Sequence, residues 1–184
     1  VSGGGTKVIS GNTIESNKTG RYDDTPSGTE FRLDGQGGGI ESRTDAQILN
    51  NVIKGNQSKD GGGFKGSGTI TGNTIINNTA EEKGGGGYFG SNTVSNNFFL
   101  SNTAATGGGV YVAGGTDMTG NVIAGNTGGA LFYQHEGSDA VSISSNTIFN
   151  NTGSPVVYLK VESYDSDDIL EVKNNTIVGN SGSP

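Results

Sequence analysis

The chain has 184 residues, a net charge of −7, 35 glycines, 29% hydrophobic residues and no cysteine. The missing cysteine excludes disulfides and thiolate metal sites, so stability must come from packing. The 11 basic residues are scattered under an acidic balance, which argues against nucleic acid and anionic membrane surfaces as partners, and no apolar run of about 18 residues is present to span a membrane.

The first element is a nine-residue phrase, Ile9-Ser-Gly-Asn12-Thr-Ile14-Glu-Ser-Asn17. It joins an aliphatic residue, an Asn three places on, Ile or Phe two places later, and a second Asn. It returns as Ile48–Asn56, Ile70–Asn78, Val94–Asn102, Met118–Asn126, Ile143–Asn151 and Val172–Asn180. The first Asn column is Asn12, Asn51, Asn73, Asn97, Asn121, Asn146 and Asn175, with spacings of 39, 22, 24, 24, 25 and 29. The second column is Asn17, Asn56, Asn78, Asn102, Asn126, Asn151 and Asn180. Fourteen of the twenty Asn sit in these columns, so composition alone does not produce them.

A period in the twenties marks a solenoid. The unit is too short for a strand–helix–strand crossover of about 30 residues. Gly and Asn are poor helix interiors, whereas short β-branched runs between Gly and Asn read as strands between tight turns. The expected fold is therefore all-β: a parallel β-helix of about seven to eight coils of 21–29 residues, with Asn ladders and one long insertion, forming a single domain over residues 1–184. Stacking the coils about 4.8 Å apart turns Ile14, Ile53, Ile75, Phe99, Ile123, Ile148 and Ile177 into one internal column. Ile9, Ile48, Ile70, Val94, Met118, Ile143 and Val172 form a second. The Asn columns mark turns, because Asn tolerates a left-handed backbone and its amide can bond the next Asn in a stack.

Glycine clusters lie between successive phrases: Gly37–Ile40, Gly61–Phe64, Gly84–Tyr88, Gly107–Val110, Gly128–Leu131, and the variant Gly153-Ser-Pro-Val156. Glycine there supplies positive φ or close coil-to-coil approach. The clusters and phrases together resemble the right-handed β-helix repeats of the polymorphic outer-membrane protein family, whose signatures are Gly-Gly-Ala-Ile/Leu/Val and Phe-x-x-Asn. Gly128-Gly129-Ala130-Leu131 and Phe99-Leu-Ser-Asn102 match them, and most other copies carry Gly for Ala and Ile for Phe. The resemblance implies a secreted, surface-displayed, often adhesive segment. Right-handedness rests on it and on the general preference of parallel crossovers.

Candidate chemistry is sparse. β-Helices include polysaccharide lyases and hydrolases, which need clustered carboxylates with Arg, Lys or His on one face. Asp23-Asp24, with Arg21, Glu30, Arg32 and Asp34, sits in the longest insertion. The Gly-His-Gly and Arg-Ile-Lys of polygalacturonases are missing, so a turn-forming acidic loop is the expectation and no catalytic residue is assigned. His135, the only histidine, has no partner Cys or His nearby in sequence and reads as a surface residue. Tyr133 and Tyr164 are candidates for stacking on sugars. The run Glu162–Asp168 carries Asp165 and Asp167 at the spacing that opens a Ca²⁺ loop, but lacks its Gly and closing Glu. It is a solvated loop with at most weak Ca²⁺ affinity, and no cofactor is expected. Sequons occur at Asn17, Asn56, Asn77, Asn150 and Asn174. Asn17 and Asn56 belong to a ladder, whereas Asn77, Asn150 and Asn174 precede ladder residues and should face outward as candidate glycosylation sites. The position after the first Asn is Thr in four of seven copies and is interrupted by Phe98, a poor pattern for an ice-binding face.

Neither end reads as a cap. Asn180-Ser-Gly-Ser-Pro184 repeats the register of Asn151-Thr-Gly-Ser-Pro155, and Pro184 followed by a second Val1 would place successive first Asn residues 21 apart (184 − 175 + 12). There is no leader and no initiating Met, so the sequence reads as a mature product or a piece of something longer. The expected function is an extracellular, cell-surface structural module of a fibre or adhesin stalk, stacking head to tail on further copies or tandem modules, with glycans as candidate ligands. The alternative is a carbohydrate-binding or polysaccharide-cleaving β-helix, with residues 21–34 and 159–170 forming a groove.

Overall fold

A computed structural model describes residues 7–19, 21–25, 28–32, 37–136, 140–162 and 169–182, the side chains of 21–25, 28–32 and 43–45 excepted. The described residues form twenty-one strands and no helix. Apart from one hairpin they pair in parallel, each strand with its counterpart one repeat away. The chain is a parallel β-helix.

Three faces alternate along each coil. The first is a ten-stranded sheet, beginning with Lys7–Ser10 against Ile40–Leu49 and ending with Leu131–Glu136 against Val157–Glu162. The second has seven three-residue strands, from Thr13–Glu15 to Thr176–Val178. The third pairs Gln57–Asp60 with Thr79–Lys83 and continues as single bridges Thr79↔Thr103↔Thr127↔Thr152↔Ser181. Five coils pass through all three faces, between Ile40 and Thr152. This is fewer than the seven to eight expected, because the first and last copies of the phrase pair with a neighbour on one side only. Residues 7–19 contribute part of a coil.

The register places like residues on like. Ile14, Ile53, Ile75, Phe99, Ile123, Ile148 and Ile177 pair in succession. Ile9, Ile48, Ile70, Val94, Met118, Ile143 and Val172 do the same. From Ile48 to Ile148 these side chains have essentially no exposure, each burial being worth roughly 1.5–3 kcal/mol.

The Asn columns close the turns. Asn97 shows the pattern: its Oδ1 accepts from the Asn73 backbone N–H at 2.9 Å and from Asn73 Nδ2 at 3.0 Å. Its own Nδ2 donates to the Ile70 carbonyl at 2.8 Å and to Asn121 Oδ1 at 3.1 Å. Two donors and two lone pairs are thus all used, which is how a polar amide can sit fully buried. The second column repeats this, for example Asn102 with Asn78, Ile75 and Asn126. The left-handed backbone, however, belongs to the residue before each ladder Asn. Gly11, Ser16, Asn50, Gly55, Gly72, Asn77, Asn96, Ser101, Gly120, Gly125, Ser145, Asn150, Asn174 and Gly179 all have φ between 53° and 69°. That residue turns the corner, so the ladder Asn is free to point inward.

In the glycine clusters the two proposed roles fall on different residues. The first glycine has positive φ (Gly61 64°, Gly107 61°). The third lies under the next coil: a Cβ on Gly63 would stand 2.5 Å from the Gly86 carbonyl oxygen, and one on Gly86 2.5 Å from that of Gly109. Two cluster alignments shift. Gly87, not Tyr88, pairs with Phe64 and Val110, because the Phe89 ring fills the space a Gly87 Cβ would enter. Val157, not Val156, pairs with Leu131. The long insertion, expected as a turn-forming loop, contains an antiparallel hairpin of Arg21–Thr25 with Gly28–Arg32.

Asn97→Asp keeps the side chain's shape but removes both donors at a buried site. It should cost about 3 kcal/mol or more in urea unfolding, since orphaned buried acceptors cost about 1–3 kcal/mol each. Exposed Thr176→Ser should change stability by under about 0.5 kcal/mol.

Candidate functional site

The distinctive outer feature lies on the ten-stranded sheet. In parallel pairing every coil offers the same outward position one rung higher. The position after the strand-opening residue is Glu41, Lys65, Tyr88, Tyr111, Phe132 and Tyr158 in paired succession. Four aromatic rings therefore stack up the outside, with centroid separations of 5.0 Å (Tyr88–Tyr111), 5.0 Å (Tyr111–Phe132) and 4.4 Å (Phe132–Tyr158). Each such contact is worth about 0.5–1.5 kcal/mol beyond area burial. Their faces cover one another; Tyr88, Phe132 and Tyr158 are half-buried and Tyr111, between two rings, is buried.

Cations flank the stack. Lys65 Nζ lies 4.6 Å from the Tyr88 ring centroid and Lys83 Nζ 5.1 Å from that of Tyr111. Lys65 also pairs with Asp60 at 3.2 Å, both side chains being mostly buried. Burial raises the Tyr88 hydroxyl above its ordinary value, with Tyr111 and Asp60 adding and Lys83 opposing. Beside the stack, Lys83, Tyr111, Ala113, Gln134 and Glu136 line a groove of about 410 Å³. Gln134 Nε2 donates to Glu136 Oε1 at 3.3 Å. One rung on, Lys160 meets Glu162 at 2.6 Å. The Glu162 hydrogen bond and charge hold the Lys160 ammonium above its usual range.

A second groove of about 440 Å³ crosses the corner of the same sheet, lined by Gln47, Thr69, Ser91, Asn92 and Thr93. Asn92 Nδ2 donates to the Gly66 carbonyl at 3.0 Å, and its Oδ1 is buried without a partner. The first groove offers a hydroxyl, an amide and two charged side chains, and the second offers hydroxyls and amides without a charged side chain. Among the described residues, no three His, Cys, Asp or Glu side chains are placed to share a metal ion.

The fourteen ladder Asn all hold the places described above, with Asn12 and Asn17 exposed on the first coil. Asn77, Asn150 and Asn174 are exposed, at left-handed corners. Asp23, Asp24, Arg21, Glu30 and Arg32 are in the hairpin strands, where only backbone is described, and Asp34, Tyr164, Asp165, Asp167 and Asp168 lie outside the described residues. The groove expected between residues 21–34 and 159–170 is therefore not one that the described residues show.

Two expectations fail. His135 is not at the surface: it is 3% exposed, with both ring nitrogens buried and unpartnered. Tyr133 is fully buried and cannot stack on a sugar. The reason is the length of the strand Leu131–Glu136, which carries strict alternation inward at 131, 133 and 135. The Tyr133 hydroxyl donates to the Thr116 carbonyl at 2.9 Å and accepts from its N–H at 3.2 Å. Burial pushes this hydroxyl up to about 12, against an opposing pull from the Thr116 backbone bond and with a further push from Asp117. The aromatic stack was missed although its signal is present: placing the glycine clusters in register with Gly87 as the strand opener aligns Tyr88, Tyr111, Phe132 and Tyr158.

No protein-family model matches the chain, and neither a curated protein nor a solved structure matches it.

His135→Leu should raise the midpoint of thermal unfolding, because it removes buried nitrogens that lack partners. Tyr133 has a distinct pH signature. Its folded value lies above the unfolded value of about 10, so its contribution is complete below pH 10 and is lost as pH rises from 10 to about 12. Urea titrations across that window should show a falling stability that Tyr133→Phe flattens.

Proposed function

We propose that the chain is an extracellular structural module, a right-handed β-helix segment of a surface fibre or adhesin stalk, which assembles by end-to-end coil stacking. The observation that carries this is the polarity of the Asn ladders. Every rung donates upward: Asn146 N–H and Nδ2 to Asn175 Oδ1 at 2.9 and 3.0 Å, and Asn151 N–H and Nδ2 to Asn180 Oδ1, both at 2.9 Å. Asn175 and Asn180 therefore present backbone and amide donors at one end, while Asn12 and Asn17 present Oδ1 acceptors at the other. The two ends are complementary in hydrogen-bond sense.

The apolar columns support the same reading. On the last coil Ile177 is 55% exposed and Val172 47%, although their equivalents one coil back are buried. A coil laid on this surface, from a second copy or from further turns of the same polypeptide, would cover both columns and satisfy four amide donors per ladder pair. Such a contact is heterologous and non-closing, which generates a filament rather than a ring. Open strand edges are templates for pairing of this kind. The resemblance to outer-membrane surface repeats supports display at the cell surface, and the outward Asn77, Asn150 and Asn174 suit glycans in a host able to attach them.

A second reading, carbohydrate binding, is favoured by the groove of about 410 Å³ in which Lys83 and the Gln134–Glu136 pair stand beside Tyr111. We assign no reaction to it.

Electron microscopy over a range of concentrations tests the assembly. The expected result is unbranched rods whose length grows with concentration, and Ile177→Asp should reduce them to single particles while circular dichroism stays native. Single particles at every concentration for the unaltered chain would overturn the reading.

A further inference from the structure

The seven-stranded sheet has an outer face unlike that of an ordinary solvated sheet. Each strand has three residues, the middle one inward and its two neighbours outward. A one-sided sheet normally carries polar residues on the water side. Here Ile76, Phe98, Leu100, Val122, Phe149 and Val178 point outward, with Phe98 47% and Val178 59% exposed. One column is apolar without a break, Ile76, Leu100, Ala124, Phe149 and Val178 pairing rung to rung, and beside it Phe98 pairs with Val122 between Thr74 and Thr147. Its only charges are Glu15 and Lys54, ion-paired at 2.6 Å on the first two rungs. Contiguous exposed apolar surface of this kind marks an interaction site.

We infer that this face packs against the same face of a second copy of the chain, with the two helix axes parallel. The periodicity argues for a copy. Side chains repeat at the inter-strand spacing of about 4.8 Å, and interdigitation over seven rungs needs a partner with that same repeat. The charges fix the direction. An antiparallel pair would bring Glu15 and Lys54 against the apolar rungs of Phe149 and Val178, desolvating charge without compensation. A parallel pair gathers both Glu15–Lys54 bridges at one end and leaves apolar side chains facing apolar side chains. The contact goes beyond axial stacking and does not require it, but a parallel pair keeps both sets of ladder ends aligned for it.

Area sets the strength. Seven rungs by a strand width of about 10 Å give roughly 350 Å² per copy, under half of the roughly 800 Å² per partner of a stable dimer. Single chains should pair weakly and coils in line should pair tightly, because each added rung contributes without a new association cost.

The test uses the Ile177→Asp background, which removes axial stacking. Sedimentation equilibrium should show a mass rising with concentration from 18.6 kDa toward twice that value. Phe98→Lys, on the outside of a strand, should keep the circular dichroism and weaken self-association at least tenfold. The chain has no cysteine, so Thr13→Cys and Thr176→Cys report direction with a short bismaleimide: each should cross-link to itself. A mass fixed at 18.6 kDa would overturn the inference and leave the face to a different partner. Unchanged association in Phe98→Lys would overturn it too, as would cross-linking only in a mixture of the two Cys variants. Failure here leaves axial stacking standing, since rods of the unaltered chain and their loss in Ile177→Asp are read independently.

Discussion

Everything in this fold hangs on the closed amide ladder. An Asn side chain has two donors and one oxygen with two lone pairs, and a stack of identical coils supplies a partner for each. The oxygen takes the backbone N–H and the amide of the coil below. The amide reaches the carbonyl of that coil's aliphatic residue and the oxygen of the coil above. No valence is left to water, so the corner can be buried. Gln would place its amide one methylene deeper, and Asp would offer acceptors where donors are needed. The ladder therefore demands one residue type at fixed spacing, which is why the columns are so plain in the sequence.

The ladder also forces the rest of the coil. Its inward-pointing Asn needs the residue before it to turn left-handed, and Gly, Asn or Ser stand there throughout. Between two such corners only three residues fit, one inward and two outward. The inward residue must fill a narrow column, hence Ile or Phe. On the far side of the coil the chain must pass under its neighbour within backbone contact, and Gly63, Gly86 and Gly109 stand there, with the small Ala130 one coil on. Tight stacking, a ladder of one hydrogen-bond sense, and long outer columns are consequences of one constraint.

The function proposed for the chain draws on those outer columns and ends. The coils carry four different kinds of surface: a stacked aromatic ridge flanked by Lys65 and Lys83, two polar grooves, an apolar seven-rung face, and complementary ends. A repeat scaffold distributes contacts along a line, which suits the assembly proposed for it.

The nine-residue phrase determined, with no coordinates, the parallel β-helix, both internal columns, both ladders and their rung-to-rung partners. These depend on residues that recur at a fixed spacing, and periodicity is a property a sequence displays directly. Only the tertiary structure decided where alternation pointed in the irregular strands: Tyr133 and His135 turned inward because the strand Leu131–Glu136 runs on through them with every second residue facing the core. It also decided the register of the glycine clusters, because Gly87 opens its strand to admit the Phe89 ring. That shift, invisible as a spacing, is what stacks Tyr88, Tyr111, Phe132 and Tyr158. Which side of a strand meets solvent, and what lies one rung above it, are facts of three-dimensional packing, and the surfaces that carry function are built from them.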